Sequence, residues 1–68
     1  GKNYQSAIEV YRKTLAIDPN RLDLQMNIGL AYLSTGNRPL AAEAFEKALE
    51  IDPDNGPARR HLHRLGSR

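Results

Sequence analysis

The side chains with the most chemical capacity gather near the C-terminal end of this sequence. His61 and His63 could ligate a metal or relay a proton, and Arg59, Arg60, Arg64 and Arg68 could hold a phosphate or a carboxylate. Spacing decides against a metal. Residues two apart on a helix diverge by about 200°, so the two imidazoles cannot share an ion. The chain has no Cys and no carboxylate beside them to complete a ligand set, and they are expected to be solvated surface histidines. Glu43, Glu46 and Glu50 share an outward helix face and read as solubilising charge, not as an acid/base pair. Ser34 and Thr35 have no base beside them. Gly1, Gly29, Gly36, Gly56 and Gly66 never cluster as a phosphate loop. No constellation for catalysis, for a cofactor or for a metal results.

What remains is charge. Residues 1–55 carry six Lys/Arg against eight Asp/Glu, whereas residues 56–68 carry four Arg, two His and no acid. A solvated basic face explains this most simply. The alternative is that Arg59, Arg60 and Arg64 hold a nucleic acid or an acidic partner. No Phe, Tyr or Trp lies in 56–68 to stack a base, which weighs against nucleic acid.

These groups must be positioned by a very small body. Sixty-eight residues make one small domain with a thin core, and without Cys no disulfide can brace it. No apolar run approaches the ~20 residues of a membrane span, and the opening residues GKNYQSAIEV are too polar and mixed for a secretory signal. The absence of an initial Met suggests a processed or excised segment.

Order along the chain comes from an internal repeat. Displaced by 34 residues, Asn3 falls on Asn37, Ala7 on Ala41, Glu9 on Glu43, Lys13 on Lys47, Leu15 on Leu49, Ile17 on Ile51, Asp18 on Asp52 and Pro19 on Pro53, with Tyr11 meeting Phe45. Each copy is a half-buried helix by its 3.6-residue period. In the first, Tyr4, Ala7, Ile8, Val10, Tyr11, Leu15 and Ile17 share the apolar side. In the second, Leu40, Ala41, Ala42, Ala44, Phe45, Ala48, Leu49 and Ile51 do. Asn37 suits an N-cap, with Pro39 in the first turn. Asp-Pro at 18–19 and 52–53 stops each helix, because the residue before Pro avoids helical geometry.

Between the copies the pattern predicts a further helix, about residues 21–35, capped by Asn20 and stopped by Gly36. A short one over 57–65 repeats Ala58, Leu62 and Leu65 on one stripe. The expected fold is all-α: three helices of about 13–15 residues and a short C-terminal one.

The residues Gln25-x2-Ile28-Gly29-x2-Tyr32, Ala41-x3-Phe45 and Pro53 stand at the spacing of the tetratricopeptide signature, W-x2-L-G-x2-Y, A-x3-F, P. The chain resembles that family over nearly its whole length, with Gln25 in place of the Trp and Ile28 in place of the Leu. The resemblance implies antiparallel helix-turn-helix repeats stacked as a fragment of an α-solenoid. Residues 3–18 would be the second helix of a preceding repeat, 21–53 a complete repeat, and 57–65 a capping or following helix. Gly29 would be the small residue where the two helices of one repeat approach closely. The implied function is protein–protein interaction, as a scaffold or adaptor.

The family's spacing places Asp23, Met26, Asn27, Leu30, Leu33 and Ser34 on the concave wall, where Met26, Leu30 and Leu33 could anchor a partner peptide. A neighbouring helix or a second copy of the chain could cover the same residues instead. Some members bind a peptide's C-terminal carboxylate through Lys, Asn and Arg on successive first helices. Asn27 matches the Asn, but Pro57 and His61 stand where basic clamp residues would be, with Arg60 adjacent. Repeats bury their faces against neighbours, and about three are usually needed. The chain has fewer, so it is expected either to come from a longer array or to self-associate. Helix exchange would then cover apolar surface around Tyr4, Ile8 and Tyr11.

Overall fold

The computed structural model of the chain describes residues 3–66, so Gly1 and Arg68 lie outside it. Four helices follow one another: α1 (Tyr4–Ile17), α2 (Leu22–Ser34), α3 (Arg38–Ile51) and α4 (Gly56–Arg64). The connections are tight turns, and each helix packs chiefly on its neighbours in sequence, with α2 on α3 the most extensive pairing. Short loops of this kind make consecutive helices antiparallel. No strand occurs among the described residues.

The helix starts follow from side-chain capping. Asn3, Asn37 and Asn55 each accept, through the side-chain oxygen, the N–H three residues on, from Ser6, Leu40 and Ala58. Each thereby satisfies one of the N–H groups a helix start leaves unpaired. Pro39 and Pro57 sit in the first turn of their helices, where no N–H is needed.

The expected Asn20 cap is a correction. The first bond of α2 runs from the Gln25 N–H to the Arg21 carbonyl, so Arg21 is the capping residue and makes no side-chain cap bond. Asn20 lies one residue outside. Helix ends follow the Asp-Pro rule at Asp18 and Asp52, whose N–H groups close on Thr14 and Ala48. After α2, Gly36 adopts φ +80°, a left-handed conformation that glycine takes without strain. It lets the Asn37 N–H turn back to the Tyr32 carbonyl.

Two apolar clusters result. Ile8 of α1, Ile28 and Ala31 of α2 and Ala44 of α3 form one, flanked by Tyr4, Tyr11, Leu15 and Tyr32. Ala41, Phe45 and Ala48 of α3 with Ala58 and Leu62 of α4 form the other, flanked among others by Met26 and Leu33. Alanine supplies two of the four buried residues of the first cluster and three of the five of the second, which lets the helices approach closely, while Phe45 of the second is wholly buried.

The apolar side assigned to α1 is only partly used. Val10 and Ile17 are 61% and 87% exposed, because α1 is covered chiefly by α2 and these residues face away from it. Gln25 is buried and donates its amide to the Pro19 carbonyl at 3.1 Å, so the residue standing in the Trp position is a satisfied polar group tying α2 to the turn before it.

Candidate protein-interaction surface

The six wall residues on α2 divide into two sets. Asp23, Asn27, Leu30 and Ser34 are exposed and recur at i, i+4, i+7 and i+11, one straight strip along the helix. Met26 and Leu33 flank it, half-buried against the Phe45 cluster. The strip therefore has one large exposed apolar side chain, Leu30, at 42% exposure. Polar groups lie above and below it. At its N-terminal end Asp23 is engaged by Arg21 at 3.1 Å. The side-chain hydrogen bond from that guanidinium holds the Asp23 carboxyl below its ordinary range, and the same bond raises Arg21.

The apolar surface expected around Tyr4, Ile8 and Tyr11 is corrected by the packing. Ile8 is 5% exposed and Tyr4 and Tyr11 pack half-buried beside it, because α2 covers that side of α1 within the same chain, with Ala44 of α3 in the same cluster. The apolar groups α1 presents are instead Val10 and Ile17, seven residues apart on one face.

At the other end, Arg59, Arg60, His63 and Arg64 are exposed on α4. With Leu49 of α3 and Leu62 and Gly56 of α4, they line a cavity of about 630 Å³. The sequence marked the arginines, but not the aliphatic floor that Leu49 supplies from another helix. The two histidines part company. His63 is exposed, whereas His61 stacks on Phe45, ring centroids 4.7 Å apart at 15°, so His61 is not the solvated residue expected. Burial pushes its imidazole below the ordinary 6.5, and Arg64 and Arg60 add charge repulsion. Its position three residues beyond Ala58, on the buried stripe, was the available signal. Among the described residues no group of three His, Cys, Asp or Glu could hold a metal ion, and no helix is long and apolar enough to cross a membrane.

Consecutive helices stacked in this order, with a glycine where two of them approach most closely, define a helical-repeat protein. The chain belongs to the tetratricopeptide repeat family: the Tetratricopeptide repeat model matches residues 23–55 and a second TPR repeat model matches residues 1–36. Repeats of this family mediate protein–protein interactions. The chain is 36% identical over 64 residues to Meiotically up-regulated gene 93 protein of Schizosaccharomyces pombe, a match covering 94% of this chain and 17% of that protein. It is 39% identical over 51 residues to Superkiller protein 3 of the same organism, covering 75% of this chain and 4% of the relative. It is 33% identical over 54 residues to Photosystem I assembly protein Ycf3 of Prochlorococcus marinus, covering 75% and 31%. The chain thus spans less than a third of the length of each of these relatives.

Proposed function

We propose that the chain is a binding module that holds a partner peptide along the exposed strip of α2, with Leu30 as the apolar anchor. Asn27 and Ser34 would hydrogen-bond the peptide, and Met26 and Leu33 would form the walls beside the anchor. The observation that carries this is the exposure of Leu30 at the middle of a strip whose other members, Asp23, Asn27 and Ser34, are polar. An apolar anchor ringed by groups able to bond a peptide backbone is the usual anatomy of such a groove. The role is one of binding, as scaffold or adaptor, rather than catalysis. A relative named as an assembly protein belongs to the same class of work.

Panning a displayed random-peptide library on the chain tests this. Enriched peptides should lose binding to Leu30→Glu and Asn27→Ala variants that keep the wild-type circular dichroism. Enriched peptides that bind the Leu30→Glu variant as well as wild type would place the groove elsewhere.

A second copy of the chain is the other partner that an observation favours, because Val10 and Ile17 share one exposed face of α1. Sedimentation equilibrium would then show association that a Val10→Ser, Ile17→Ser double variant abolishes. A monomer at high concentration removes this second partner.

A further inference from the structure

Gln25 stands where the tetratricopeptide signature has tryptophan, its bulkiest side chain. Beside it a recess of about 140 Å³ opens among Leu15 of α1, Gln25 and Ile28 of α2, and Leu40 and Ala44 of α3. All three bordering helices are in place, so the opening is set by the side chains between them. Its volume is close to the ~150 Å³ at which an apolar cavity takes up benzene. It is well below the ~300 Å³ at which sites for larger ligands begin. The recess has room for one ring system.

Its chemistry is that of a ring seat with a single polar mark. Leu15, Ile28, Leu40 and Ala44 are aliphatic, and Ile28 and Ala44 are almost wholly buried. Tyr32 adds an aromatic side chain to the lining, able to meet a second ring offset or edge-on. Gln25 is the polar mark, itself 6% exposed. Its Nε2 donates to the Pro19 carbonyl, which fixes which amide atom is which. Its Oε1 accepts no bond among the described residues, yet no fully buried side-chain oxygen there lacks a partner. Oε1 therefore keeps an opening through which a donor can reach it.

We propose that this recess receives a tryptophan side chain of a partner protein. The indole rests on Ile28, Leu40 and Ala44, and its N–H donates to Gln25 Oε1. Indole is the side chain that joins an apolar ring of this size to one donor and no acceptor. The chain has no Trp of its own, so the ring comes from another molecule. Glu43 and Lys47, exposed beside the recess, can bond the partner's backbone on either side of the ring. None of these residues belongs to the α2 strip of Asp23, Asn27, Leu30 and Ser34, so either site can fail alone.

The test titrates short capped alanine peptides, with one central Trp, 1-methyl-Trp or Phe, and free indole into the isotope-labelled 68-residue chain, followed by amide NMR. The Trp peptide should bind with about millimolar affinity and shift signals confined to Leu15, Gln25, Ile28 and Ala44. The 1-methyl-Trp peptide, which lacks the N–H, should bind about fivefold more weakly, and the Phe peptide should be weaker than Trp by at least as much. A Gln25→Trp variant fills the recess from within and should no longer bind, whereas Leu30→Glu should bind within about twofold of wild type. Shifts elsewhere on the chain, or equal binding of the Trp and 1-methyl-Trp peptides by wild type, overturn the proposal without recourse to any variant. Retained binding by a folded Gln25→Trp variant overturns it too. Tighter binding of free indole than of the Trp peptide also overturns it and assigns the recess to a small aromatic compound.

Discussion

A Cβ on Gly29 would lie 2.7 Å from Cε1 of the Phe45 ring, closer than real side-chain carbons approach. The ring cannot simply retreat. Phe45 is wholly buried and stacks on His61 of α4, so one side chain of α3 ties together α2, α3 and α4. Three of the four helices meet at a single aromatic residue whose seat exists because position 29 has no side chain.

Gly29→Ala should therefore destabilise the fold although alanine is the better helix former. Overpacking costs about 1–3 kcal/mol, against about 1 kcal/mol of helix propensity gained. A fall in melting temperature is expected, with partial recovery when Phe45→Leu is added. The double-mutant cycle should show coupling, as contacting residues do. Strict additivity would mean that the two do not touch.

Phe45→Ala removes the shared contact outright and should cost about 3–5 kcal/mol. That is comparable with the whole stability usual for so small a chain, so loss of the cooperative transition in thermal or urea unfolding is expected. A variant that still melts cooperatively near the wild-type temperature would show that the two clusters stand without the ring.

His61 makes stability depend on pH. Its folded value lies below its ordinary 6.5, chiefly because burial disfavours the charged form, so the unfolded chain binds the proton more readily. Stability rises with pH wherever the unfolded state holds more protons. The contribution is thus fully present above about 6.5 and is lost as pH falls through the lower folded value. Urea midpoints should drop between neutral pH and pH 5, and a His61→Phe variant should flatten that part of the profile. An unchanged slope in the variant would assign the effect to other groups.

The three asparagine caps should be individually measurable. Asn37→Ala leaves the Leu40 N–H without its side-chain partner and should cost about 1 kcal/mol, read from the urea midpoint. Asn37→Asp should retain most of the stability, because its carboxylate also accepts the bond. Equal loss in both variants would point to the turn at Gly36 rather than to the cap.

Much of this molecule is legible before any coordinates. The echo at 34 residues, the Asn caps, the Asp-Pro stops and Gly36 are local features, each acting over one or two turns of helix. They place the helices to within a residue or two, α3 over 38–51 as found. The missed Asn20 cap differs by one residue, because which carbonyl opens a helix depends on the turn before it. The close approach at Gly29 was also readable, through the signature around it.

Burial was not legible in the same way. A helical wheel shows which residues share a side but not how much of that side a neighbour covers. Ile8 is buried while Val10 and Ile17, on the apolar side of the same wheel, are open, because α2 meets α1 along one line only. Likewise His61 and His63 look alike in sequence, and Leu49 looks unrelated to Arg59 and Arg64. Only the crossing of α4 over α3 puts His61 on the Phe45 ring and Leu49 beneath the arginines. Local sequence determined the elements and their order, since capping and periodicity act within a few residues. Tertiary packing alone decided which faces stay uncovered, since that depends on where other helices, distant in the chain, come to rest.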